Sequence, residues 1–151
     1  MKKLIFLLFI LASNLAFSQL NIDHYMRAGE TRIQIGNYVG AIENFNIVIR
    51  FKPHMPEAYY FRGLAKHQLE DYRGAIQDYN MAIEIKPYYP DAYFSRGLAY
   101  LLLKEDHNAI ADYDKALEFD RNNVGIYNNR GIAKASMKDF DGAIADYDIA
   151  L

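Results

Sequence analysis

Histidines and paired acidic residues are the side chains here whose types could do chemistry. His24, His54, His67 and His107 could bind a metal or move protons, but no two of them stand at a metal-ligand spacing. Asp112 with Asp114, and Asp146 with Asp148, offer the paired carboxylates of acid–base catalysis. The two pairs are copies of each other 34 residues apart, and such recurrence reads as a solvated helix face. There is no Gly-rich phosphate loop and no G-x-S-x-G nucleophile elbow. The chain has no cysteine, which removes disulfides, thiolate metal sites, a Cys nucleophile and a lipidated cysteine together. The expectation is a protein that is not an enzyme, with no metal site and no cofactor.

Charge narrows the partners further. With 17 Lys plus Arg against 19 Asp plus Glu and no run of like charge, nothing marks a stripe for nucleic acid. The N-terminus reads as an address: Lys2 and Lys3, an unbroken apolar Leu4 to Leu11, then Ala16-Phe17-Ser18 as small-residue cleavage grammar. Ser13 and Asn14 interrupt the apolar segment short of the roughly 20 residues a bilayer span needs. Residues 1–18 are therefore expected to be a signal peptide cleaved after Ser18, with 19–21 a short lead. The mature protein is then secreted or periplasmic, with no stable membrane anchor and 15 basic against 19 acidic residues.

What positions the remaining residues is a period of 34. Gly29, Gly63, Gly97 and Gly131 share one register, Ala41, Ala75, Ala109 and Ala143 a second, and Phe45, Tyr79, Tyr113 and Tyr147 a third. Units run 22–55, 56–89, 90–123 and an incomplete 124–151, each reading as two amphipathic helices joined by a polar turn. In the second unit the spacing predicts helices over Glu57–Leu69 and Tyr72–Ile85. Small residues let the two helices of a hairpin approach closely, and the aromatic rings fill the space beside them. Pro56 and Pro90 fit the first helical position, while the third junction, Asp120 to Gly125, has no proline and is expected to be the most flexible.

These residues resemble the tetratricopeptide repeat, as in YYFRGLAKHQLEDYRGAIQDYNMAIEIKP from Tyr59 to Pro87, over Ile22 to Leu151. The resemblance implies an all-α, right-handed superhelical solenoid of tandem helix-turn-helix hairpins that acts as a protein- or peptide-binding scaffold. It places Glu57, Tyr60, Phe61, Leu64 and His67 of the second unit, and Asp91, Phe94 and Leu98 of the third, on the concave groove. The expected partner-binding seat is Tyr60, Phe61, Leu64, His67, Phe94 and Leu98, rimmed by Glu57 and Asp91; packing of these rings between adjacent first helices is the alternative. Met26, Glu30, Tyr60, Leu64, Phe94 and Leu98 stand where chaperone-binding members carry cations, so a carboxylate clamp is not expected.

Arg62, Arg96 and Arg130 each precede a repeat glycine, and Asp78, Asp112 and Asp146 each precede the packing tyrosine. The first unit has Ala28 and Asn44 in these two places, so Arg and Asp come and go together. That predicts a pair between the two helices of one hairpin rather than a ligand-binding ladder. A second functional reading is a structural or assembly module, part of a larger repeat protein or self-associating through an uncapped last helix carrying Ile144, Tyr147 and Ala150.

Overall fold

The computed structural model describes residues 22–151, so the expected signal peptide, its cleavage after Ser18 and the lead at 19–21 lie outside the described residues. Among the described residues there are eight helices and no strand. They are α1 (22–34), α2 (Tyr38–Phe51), α3 (Pro56–Gln68), α4 (Tyr72–Ile85), α5 (Pro90–Leu102), α6 (Asp106–Phe119), α7 (Val124–Ser136) and α8 (Phe140–Ala150). The first helix of the second unit starts and stops one residue earlier than the spacing predicts. Pro56 takes the first helical position, where a missing N–H costs nothing, and Leu69 serves as C-cap.

Local chemistry sets most of the boundaries. Asn37, Asp71 and Asp139 each accept a hydrogen bond from the backbone N–H three residues on, capping α2, α4 and α8. The turn inside every hairpin passes through one left-handed residue in one register: Gly36 at φ 78°, Glu70 and Lys104 at 62°, and Lys138 at 67°. Only Gly36 takes that conformation without steric cost.

Each helix from α2 onward packs against the next in order, and α3 also touches α5 as α5 touches α7. The first helices therefore form one continuous layer. Within a hairpin the aromatic ring of the second helix lies on the glycine of the first. A Cβ built at Gly29, Gly63, Gly97 or Gly131 would sit 2.6–2.7 Å from the ring of Phe45, Tyr79, Tyr113 or Tyr147. Ala41, Ala75, Ala109 and Ala143 are buried beside those rings. The architecture is an all-helical solenoid of stacked hairpins.

Candidate partner-binding face

The first-helix layer carries every residue the sequence nominates for binding. Tyr60 lies in an aromatic group, its ring centroid 5.0 Å from Tyr89, 5.4 Å from Phe61 and 6.1 Å from Tyr79. Phe61 stacks on Phe45 of the preceding hairpin at 5.9 Å and 15°. Phe94 tilts over Tyr113 at 6.0 Å. These rings are half-buried and packed between elements, with an edge left to solvent. Leu64 and Leu98 are half-buried as well, Leu64 against the Ala75–Tyr79–Ala99 core. Glu57 lies 3.7 Å from Lys86 Nζ, and Asp91 is exposed.

Electrostatics on this face come from burial more than from charge. Burial pushes the Tyr60 hydroxyl above the ordinary tyrosine value, against a hydrogen bond with Ser95 and with the charge of Asp91 adding to it. Tyr89 is driven well up by burial, with Tyr60, Glu57 and Asp91 contributing, so both phenols stay neutral donors. His67 meets Tyr72 edge-on at 5.2 Å, and burial lowers its pKa, which favours the neutral imidazole. Its Nδ1 is buried without a hydrogen-bond partner. Tyr89 belongs to the group although the sequence reading did not nominate it. The available signal was its place directly before Pro90, outside the repeated aromatic register.

The repeated arginines form pairs within each hairpin. Arg62 donates to Asp78 through Nε at 2.9 Å and Nη2 at 2.5 Å. Arg96 grips Asp112 at 2.8 and 2.6 Å, and Arg130 grips Asp146 at 2.9 and 2.6 Å. The expectation of a solvated acidic face at Asp112 and Asp146 is corrected: both carboxylates are buried, because the guanidinium satisfies them in place of water. Asp114 is exposed but accepts a bond from Arg130 Nη1.

Each arginine also reaches backward. Arg62 Nη1 donates to Asn46 at 2.7 Å and Arg96 Nη1 to Asn80 at 2.6 Å, so every guanidinium ties its hairpin to the preceding one. Its plane lies over Tyr59, Tyr93 or Tyr127 at 5.3–5.6 Å from the ring centroid. A second cation assists two of the three: Lys66 Nζ is 2.9 Å from Asp78 and Lys134 Nζ 2.8 Å from Asp146, while Tyr100 holds that register beside Asp112. The contrast shows in the carboxyls. Burial raises Asp112 despite Arg96, whereas at Asp146 the bonds from Arg130 and Lys134 outweigh burial and hold it below the ordinary carboxylate value.

Among the described residues no three metal-ligating side chains come together, and no helix is long and apolar enough to cross a membrane. Family comparison adds the decisive register. A TPR repeat model matches residues 63–104 and a tetratricopeptide repeat model matches 90–123. Residues 63–123 are thus similar to tetratricopeptide repeats. The solenoid they belong to is similar to two crystal structures of MamA, each with a TM-score of 0.84. One is 28% identical, with 91% of this chain covering 75% of that one; the other is 27% identical, with 92% covering 81%. The first tetratricopeptide domain of Spaghetti (RPAP3), bound to the HSP90 peptide SRMEEVD, shares the fold at 24% identity and a TM-score of 0.77, with 79% of this chain covering 94% of it. No curated protein matches the sequence.

Proposed function

We propose that this chain is an exported, non-catalytic interaction scaffold whose first-helix face holds an apolar peptide segment of a protein partner. Tetratricopeptide domains are generally interaction modules without catalytic activity. The observation that carries the reading is a row in one repeat register, Leu64, Leu98 and Ile132, on the adjacent helices α3, α5 and α7, with Ile132 43% exposed. Tyr60, Phe61 and Phe94 flank it, Glu57 and Asp91 rim it, and Glu30 stands at the same register on α1. A row of partly open apolar side chains on a rigid layer suits a segment that anchors alternate side chains.

The neighbouring RPAP3 domain holds the acidic peptide SRMEEVD. On this chain Lys66 and Lys134 are occupied by Asp78 and Asp146, so the seat is proposed to select apolar anchors rather than a terminal carboxylate. Selection from a displayed library of extended peptides should enrich apolar-centred sequences. Leu98→Asp should weaken them at least tenfold, and amidating their C-termini should change nothing. If Leu98→Asp keeps its helicity and binds every selected peptide as before, the seat lies elsewhere. Export is tested by the mass of the mature chain, expected to begin at Gln19 in an envelope or culture fraction.

A further inference from the structure

In each repeat the start of the first helix lies near the C-cap of the second, and one molecule offers three copies of that arrangement. Lys52, Lys86 and Asp120 are the C-caps of α2, α4 and α6, at φ -129°, -128° and -133°. In the first repeat Lys52 Nζ lies 3.4 Å from Asp23, and in the second Lys86 Nζ lies 3.7 Å from Glu57. The third repeat keeps the acid, Asp91, but its cap is Asp120. Two carboxylates thus hold the registers that elsewhere hold an ion pair, and like charges there repel. Asp91 is exposed and enters no ion pair among the described residues. Asp120 is engaged in its own turn, accepting from the Asn122 N–H and from Asn123 Nδ2. Service to the helix start does not account for the missing cation, since Glu57 occupies the same first turn and is paired.

The surroundings of Asp91 suit a positive charge. Lys86 Nζ sits 4.4 Å from the centre of the Tyr89 ring, so this aromatic group already holds one ammonium between a ring and the Glu57 carboxylate. Tyr60, 5.0 Å from Tyr89, is half-buried and keeps an edge open. Burial raises both phenols and the charge of Asp91 adds to each, which places its carboxylate beside the pair. Phe94 and Leu98 follow Asp91 on one face of α5 at helical spacing. From Asp91 to Leu98 is about 10 Å along the axis, the reach of about three residues of extended chain.

Building on the apolar seat proposed above, we infer that Asp91, beside Tyr60, is a subsite for a lysine or arginine side chain of the same partner segment. That residue stands about three positions from the apolar anchor that meets Leu98. Its cation takes the place that Lys52 and Lys86 fill in the first two repeats.

Selection from a displayed library of extended peptides should enrich Lys or Arg at that distance from the apolar centre. In a synthetic copy of the best binder, exchanging the basic residue for Gln should weaken binding about fivefold, the upper range of an exposed ion pair. Asp91→Asn should weaken the basic peptide equally and leave the Gln peptide unchanged. Asp120→Lys restores the internal cation and should do the same. Apolar peptides enriched without a basic residue, and bound equally by Asp91→Asn, overturn the subsite and leave the seat standing. A selection that enriches nothing, or a helical Leu98→Asp without effect, overturns the seat and the subsite with it. Should Asp91→Asn lose helicity, Asp120→Lys decides: a preference for the basic residue that survives it refutes the subsite.

Discussion

Arg62, Arg96 and Arg130 each hold a buried carboxylate with two nitrogens and the previous hairpin with a third, so their removal should not be equivalent. Losing one partner of a buried ion pair costs about 3–5 kcal/mol when the other charge is stranded. Arg96→Ala strands Asp112, because Tyr100 stands where a lysine would help, and should cost about 3 kcal/mol. Arg62→Ala leaves Lys66 2.9 Å from Asp78 and should cost about 1–2 kcal/mol. Urea unfolding of both variants at pH 7 measures the difference; equal losses would mean that the second cation contributes nothing. The pH dependence has a definite sign. The Asp112 carboxyl is already raised in the fold, so its contribution is fully present below the unfolded value of about 3.9 and lost as pH rises through the folded one. The Arg96→Ala deficit should therefore shrink on acidification. Asp146, held low, behaves oppositely, and its contribution is lost as pH falls below about 4. The pairing within each hairpin was legible because Arg and Asp recur together. The backward bond was not, since its acceptors change type from Asn46 and Asn80 to Asp114 and leave no repeated letter. Burial of Asp112 was hidden for a related reason: a period reports which residues share an environment, not whether that environment is wet.

The hairpin element was almost fully legible, since glycine, alanine and aromatic registers fix which faces meet and Pro56 and Pro90 mark the starts. The turns were less so. All four use a left-handed residue, yet only Gly36 announces it, and Glu70, Lys104 and Lys138 accept the conformation because the packed helices on either side dictate it. An L-residue there carries a steric cost of roughly 1–2 kcal/mol, partly offset in glycine by its extra freedom in the unfolded chain. Lys104 is exposed and its ammonium enters no ion pair among the described residues, so Lys104→Gly removes strain without removing a contact. It should raise stability by about 0.5–1 kcal/mol, seen as a higher melting temperature. A lower one would mean that the turn is not strained.

At the scale of the whole molecule, stability in a solenoid is close to a sum of hairpins and nearest-neighbour contacts, so a weak junction divides it into parts. The candidate seat was legible only in part: sequence places Tyr60, Phe61 and Phe94 on the first-helix layer, but how much of each ring neighbouring helices cover depends on packing, which no register encodes. The third junction is the place where the two scales meet. Prolines start α3 and α5, whereas α7 starts at Val124-Gly125 and depends on side chains: Asn123 Oδ1 accepts from the Ile126 N–H at 3.3 Å, and Asp120 accepts from the Asn122 N–H at 3.3 Å and from Asn123 Nδ2 at 3.1 Å. Glycine at the second helical position enlarges the unfolded ensemble, while proline at the first shrinks it. Amides opening α7 should therefore exchange several-fold faster than those opening α3 and α5. Asn123→Ala removes the cap and should cost about 1 kcal/mol. The acceleration should be confined to α7 and α8, with α2 to α4 unchanged, because Arg130 on Asp114 and Ser136 on Asp106, at 2.6 Å, are the remaining polar ties across this junction among the described residues. Acceleration shared equally by all helices would instead mean that the four hairpins open as one cooperative unit, and that the junction is no weaker than its neighbours.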